Sequence, residues 1–108
     1  MRMWMVDPRI MCTRHLVAEH LETHMIAGSV KKGKNLQGFF DKGEICLDKL
    51  QERHDVLVAE MESRGMKHKS PFVPVEGLTG GHVDAKESEH LLLTRCAECR
   101  KRKEELGL

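Results

Sequence analysis

Leu47-Asp48-Lys49-Leu50-Gln51-Glu52-Arg53-His54-Asp55-Val56-Leu57-Val58-Ala59-Glu60-Met61-Glu62-Ser63-Arg64-Gly65 is the stretch whose reading decides the fold. Leu47, Leu50, His54, Leu57, Val58 and Met61 recur at spacings of three and four, which puts them on one stripe of an α-helix. Gly65 then supplies the residue that most easily closes a helix in a left-handed turn. Working outward toward the amino terminus, the same periodicity predicts a first helix from about Ile10 or Thr13 to Ser29, with Asp7-Pro8 as its start signal. At 100° per residue, Val17, Leu21, His24, Met25 and Gly28 gather on one side, the expected packed face. His15, Glu19 and Glu22 fall on the opposite, polar stripe.

Toward the carboxyl terminus, Pro71, Pro74, Gly77, Gly80 and Gly81 mark a long connection. A last helix is expected from about Ala85 to Leu106, with Leu91, Leu92, Cys96 and Cys99 inward. Lys31 to Gly43 reads as a lysine- and glycine-rich loop docked by Phe39 and Phe40. Residues 1–7 read as an extended segment. No alternating apolar pattern announces a sheet, so the expected class is all-α, a compact three-helix domain with an extended amino-terminal segment threaded into the site. At 108 residues there is room for one domain and one modest core.

Charge and composition narrow the function classes. The 18 basic and 17 acidic residues nearly cancel, so no global basic footprint exists and any nucleic-acid surface must be local. Lys31, Lys32 and Lys34, Arg64 through Lys69, and Arg100 through Lys103 are the candidate basic patches, against the alternative of solvated helix ends. No apolar run reaches the roughly 18 residues of a membrane span, and Asp7-Pro8 interrupts the first apolar stretch before it resembles a signal peptide. A soluble, cytoplasmic protein is expected. Four cysteines in that setting point to thiols or metal ligands rather than a disulfide framework.

Two features carry chemistry. Arg2 is too large for the initiator methionine to be removed ahead of it, so Met1 is expected to keep a free α-amine. Such an amine has a pKa of roughly 7.7–8 and is partly neutral near pH 7, as a nucleophile must be. Glu22, one helix away on the polar stripe, can serve it as a proton-transfer partner. Glu19 beside it reads as a helix-face charge and a candidate substrate contact. The second feature is Cys96-Ala97-Glu98-Cys99. It could form half of a tetrahedral zinc site, completed from His20, His24, His54 or His90, with Cys96, Cys99, His20 and His54 the foremost ligand set. A second cysteine pair is missing, Cys12 and Cys46 stand alone, and inward thiols packing as small hydrophobes are the plainer expectation. His68 and His82 read as loop residues outside any site.

The opening, Arg2 followed by Asp7 through Gly28 with His15-Leu16-x-Ala18-Glu19-x-x-Glu22, resembles the phage pyrimidine-dimer DNA glycosylases with AP-lyase activity, the endonuclease V type. Arg53-x-x-x-Leu57-x-Ala59-Glu60-x-x-x-Arg64-Gly65 is similar to the corresponding helix of that family, and the likeness runs over about residues 1–70. The resemblance implies attack of the amino-terminal amine on C1′ of a damaged nucleotide, a Schiff base and β-elimination, with no cofactor. It implies Met1 as the amine and Glu22 as the catalytic acid. Arg2 would sit beside them and His15 would face DNA, the partner being duplex DNA with a damaged or abasic nucleotide and the enzyme a monomer in a phage-infected or bacterial cell. The family's first helix carries arginines just before and three residues after its catalytic Glu, where this chain has Leu21 and Met25. The family's aromatic tail is replaced by Arg100-Lys101-Arg102-Lys103-Glu104-Glu105. The alternative reading from another class is a noncatalytic DNA-binding or regulatory helical module built around a Cys/His metal site.

Overall fold

The computed structural model describes residues 1–108 and is all-α, with five helices rather than the three expected. They are α1 (Thr13–Lys31), α2 (Gln37–Asp41), α3 (Leu50–Ser63), α4 (Ala85–Arg95) and α5 (Ala97–Leu106), with single 3-10 turns at Pro8–Ile10 and Leu47–Lys49. The extra helices have identifiable causes. Phe39 and Phe40 fold their own segment into the short α2 as both rings pack against the core around Met3 and Ile26. The single carboxyl-terminal helix is broken at Cys96, whose backbone turns extended (φ −123°, ψ 106°) and whose sulfur accepts the N–H of Cys99 at the start of α5. One residue thereby ends α4 and caps α5.

α1 and α3 pack along each other and organise two clusters of buried side chains. One holds Trp4, Val6, Ile10, Met11, Leu16, Leu57, Leu92 and the thiols of Cys12, Cys96 and Cys99. The other holds Met3, Ile26, Ala27, Leu36, Ile45, Leu47, Leu50 and Phe72. Leu16, Leu57 and Leu92 are fully buried, sites where truncation to Ala costs about 2–5 kcal/mol.

The amino-terminal segment lies between these clusters and feeds both. Met3 donates its N–H to the carbonyl of Glu44 at 2.8 Å, and its sulfur accepts the N–H of Cys46 at 3.3 Å. The Trp4 carbonyl accepts the hydroxyl of Ser88, and the Val6 carbonyl accepts the Arg53 guanidinium at 2.7 Å. Met5 sits between them at φ 59°, a left-handed conformation unusual for a methionine, and its neighbours hold the backbone there from both sides. Arg64, at the end of α3, donates to the carbonyls of Pro8 and Met11 and pairs with Glu60, fixing the turn that enters α1.

The long connection from residue 66 to 84 is pinned at its glycines. Leu47 donates to the Gly80 carbonyl, Gly80 donates to the Asp48 carboxylate, and Gly81 forms an isolated bridge with Cys46. A Cβ on Gly81 would stand 2.4 Å from the Ile45 carbonyl oxygen, so the approach of the two backbones requires glycine there.

The packed face of α1 differs from the one its hydrophobic periodicity predicted. Leu16, Glu19, His20, Thr23, Ile26 and Ala27 are buried. Val17, Leu21 and Met25 are 39%, 58% and 50% exposed, forming an apolar stripe on the outside. The reversal is made possible by Arg53, which enters from α3 and pairs with Glu19 through two hydrogen bonds of 2.6 and 3.0 Å, both side chains being almost wholly buried. A carboxylate so neutralised can occupy a core position that an isolated one cannot.

Candidate active site

The site grows from the meeting of the first residues with the middle of α1. Hydrogen bonds at Met3, Trp4 and Val6 fix the amino-terminal segment, so Met1 and Arg2 are delivered to a set place rather than left as a free end. The backbone N–H of Arg2 donates to Oε2 of Glu22 at 3.3 Å. The Arg2 guanidinium turns the other way, lying 4.7 Å from the centre of the Trp4 ring and 3.4 Å from the Glu44 carboxylate. Met1 is itself half-buried.

Glu22 is half-buried, and that burial raises its carboxyl above the usual value, against the opposing pull of the Arg2 N–H and the positive charge of the amino terminus. Glu19, one turn earlier, adds a smaller push in the same direction. The arrangement is a partly desolvated carboxylic acid beside the chain's first residues, the pairing needed where an amine attacks and a proton must move. Arg2 also lines a cleft with Lys42, His82, Asp84, Glu87 and Ser88, whose walls do not include Glu22.

The remaining candidates divide by location. Lys31, Lys32 and Lys34 are exposed at the end of α1 and in the turn after it. Arg64 is mostly buried; its Nε pairs with Glu60, its Nη2 donates to backbone carbonyls, and its buried Nη1 has no partner. Glu19 is buried in its pair with Arg53.

His15 stands apart from Glu22. Its Nδ1 is 3.2 Å from the Cys12 sulfur and 3.8 Å from the Cys99 sulfur, and Trp4 meets its ring edge-on at 6.0 Å. Burial, then the charge of Arg14, lowers its pKa, so this imidazole is neutral at physiological pH.

Cys12, His15, Cys96 and Cys99 come together with their ligand atoms within 4.8 Å of one another, and so do His20, His24, His54 and His68. The expected set of Cys96, Cys99, His20 and His54 is therefore split between two places. Cys12, His15 and His68 are the ligand-cluster members that the sequence reading left out, His15 being expected on the DNA side, and His90 joins neither cluster. Cys12-Thr13-Arg14-His15 repeats the spacing of Cys96-Ala97-Glu98-Cys99, a signal hidden by looking only for a second pair of cysteines. His68 carried no signal, because its place depends on how the chain returns after α3. In the second cluster His20 is held down to about 4 by burial and by the neighbouring imidazoles of His24, His54 and His68.

No helix is long and apolar enough to cross a membrane. No curated protein and no solved structure matches the chain. The family model for pyrimidine dimer DNA glycosylase matches residues 1–73, which include the amino-terminal segment, all of α1 with Glu22, and all of α3. The match covers well over half of the chain, and the chain belongs to the pyrimidine dimer DNA glycosylase family.

Proposed function

We propose that this protein is a base-excision glycosylase with AP-lyase activity on damaged pyrimidines in duplex DNA, that the amine of Met1 is its nucleophile and Glu22 its acid, and that residues 1–108 act as one monomeric domain. The observation that carries the reading is the 3.3 Å hydrogen bond from the Arg2 N–H to Glu22, which ties the first peptide unit of the chain to a half-buried carboxylate. Membership of a DNA-repair glycosylase family supports the same chemistry.

In the proposed reaction the neutral amine gives its lone pair to C1′. The C1′–N bond to the base breaks toward the base, which leaves with its electron pair and takes up the proton that the attacking amine gives up. Glu22 protonates the ring oxygen of the sugar as the ring opens and, as carboxylate, stabilises the positive charge that grows there. The resulting protonated imine acidifies C2′–H; the Glu22 carboxylate left by ring opening takes that proton, the C–H electron pair forms the C2′=C3′ bond, and the 3′ phosphate leaves with the C3′–O pair. Arg2, paired to Glu44 and lying over Trp4, acts at the mouth of the cleft. Lys31, Lys32 and Lys34 are the available cations for phosphate contact beyond it. His15 and Glu19 act from behind, in the Trp4 contact and the Arg53 pair respectively.

The test is borohydride trapping of untagged protein on a duplex with one abasic site, followed by peptide mapping. A stable adduct on Met1 is expected, and none is expected after amino-terminal acetylation. An adduct on a lysine, or cleavage by acetylated protein at the native rate, would overturn the assignment of the nucleophile.

A further inference from the structure

We propose that Cys12, His15, Cys96 and Cys99 form a structural zinc site that locks α5 and the α4–α5 break onto the start of α1. The inference is independent of the catalytic reading. The four donors come from two stretches of chain separated by some eighty residues, each of the form Cys-x-x-ligand. Cys12 precedes α1, His15 lies in its first turn, Cys96 is the break, and Cys99 lies in the first turn of α5.

All four donor atoms lie within 4.8 Å of one another, and three of the contacts among them come within a few tenths of an ångström of the edges of a tetrahedral site. With Zn–S near 2.3 Å and Zn–N near 2.0 Å, a tetrahedron has S···S edges of about 3.8 Å and S···N edges of about 3.5 Å. Here Cys12 Sγ and Cys96 Sγ are 3.8 Å apart, and His15 Nδ1 lies 3.2 and 3.8 Å from Cys12 Sγ and Cys99 Sγ. All three cysteines are free thiols, and their sulfurs face each other and a ring nitrogen, not apolar neighbours alone.

Backbone groups are already aimed at the sulfurs. The Cys12 N–H points at Cys99 Sγ (3.2 Å) and the Cys99 N–H at Cys96 Sγ (3.5 Å), the outer-shell donors that stabilise thiolate charge in a metal site. His15 Nδ1 has no carbonyl or carboxylate for a partner, only thiols. Trp4 meets the ring edge-on. The fold also has a use for the ion. Cys99 is the single buried residue of α5, a mostly charged helix otherwise held by surface contacts such as Arg102 to the Arg9 carbonyl and Lys103 to Glu89. A structural zinc contributes folding free energy at such a place.

A different observation carries a second site. His20 and His24 on α1, His54 on α3 and His68 from the following loop converge, with the Nε2 atoms of His20 and His24 3.3 Å apart. His68 Nε2 is buried and has no hydrogen-bond partner, an orphan that a metal ion would satisfy. Asp55 accepts from His54 Nδ1 at 2.9 Å, which leaves Nε2 as the ligating nitrogen, now 3.3 Å from the Ser70 carbonyl. We infer that this cluster takes one divalent transition-metal ion through four imidazoles.

Both sites are tested on the full-length, reduced protein by metal analysis and cobalt(II) titration. Two equivalents of cobalt are expected, one giving thiolate-to-metal charge transfer and the intense ligand-field bands of a tetrahedral ion, the other no thiolate band. Zinc should displace the cobalt, and chelation should lower the melting temperature by more than 10 °C, reversibly. Cys99→Ser should weaken the charge-transfer band, and Cys46→Ser should leave it intact. Should Cys99→Ser not fold, the titration of the native protein alone decides. Absence of charge transfer on saturating cobalt, with no zinc in the purified protein, would overturn the Cys/His site. His68→Ala should reduce the stoichiometry from two to one with the thiolate spectrum unchanged. A stoichiometry of one in the native protein, with the thiolate charge-transfer band present, would overturn the histidine site.

Discussion

The backbone N–H of Arg2 reaches Oε2 of Glu22 across 3.3 Å, joining the first peptide of the chain to the middle of its longest helix. Neither residue achieves this alone. Arg2 is held by the bonds that Met3, Trp4 and Val6 make on either side of the left-handed Met5, and Glu22 projects from α1 one turn after Glu19, which ties that helix to Arg53 of α3. Replacing Glu22 by Gln keeps the shape and a hydrogen-bond acceptor while removing the acid. We expect single-turnover cleavage of a damaged duplex to fall roughly 10²–10⁴-fold. The circular dichroism spectrum should be unchanged and the melting temperature at neutral pH equal or higher, since a half-buried negative charge is no longer required.

The Glu19–Arg53 pair should behave as a structural unit. Arg53→Met strands a buried carboxylate and is expected to cost about 3–5 kcal/mol in urea unfolding. Adding Glu19→Leu to it should recover most of the loss, because two apolar side chains can fill the same space. A double variant as unstable as the sum of the singles would show that the two residues do not act through each other.

Leu21 and Met25 lie exposed beside Glu22, where the family's first helix carries arginines. Leu21→Arg and Met25→Arg should each tighten binding to any duplex, damaged or not. The slope of log K against log salt should steepen by about 0.9 for each additional phosphate that the new guanidinium neutralises. Fluorescence anisotropy at several salt concentrations measures this, and an unchanged slope would place the DNA on another face.

Asp7 starts the 3-10 turn ahead of α1, accepting the backbone N–H of Arg9 at 3.0 Å and pairing with its guanidinium at 2.6 Å. The Arg9 side-chain hydrogen bonds hold its carboxyl below the ordinary 3.8, against a partial offset from burial. Because the folded value lies below the unfolded one, the contribution is fully present above about pH 4 and is lost as pH falls through the lowered folded value. Asp7→Asn should therefore flatten the acid limb of the stability–pH curve. It should cost about 1 kcal/mol at neutral pH, the size of a helix cap. Equal acid sensitivity in the variant and the native protein would assign the limb to other carboxylates.

The all-helical class, the bounds of α1 and α3 and the long glycine-marked connection were legible in the residues, because periodicity, start signals and stop signals are local properties of the chain. So was the family, through Arg2, the His15-to-Glu22 stretch and the Arg53-to-Gly65 stretch. Local rules also gave the wrong face of α1. They counted Val17, Leu21 and Met25 as core, whereas Arg53, thirty-four positions from Glu19, makes it possible to bury a carboxylate. The break at Cys96 was invisible for the same kind of reason: its extended backbone and the hydrogen bond from Cys99 belong to a junction whose sulfurs face Cys12. Sequence by itself determined the all-helical class, the long helices α1 and α3 and the family, because these rest on local periodicity and motifs. Tertiary structure alone decided which side chains share a site, because contacts such as His20 with His68 and Cys12 with Cys99 depend on chain return over tens of residues, and no short-range pattern encodes that distance.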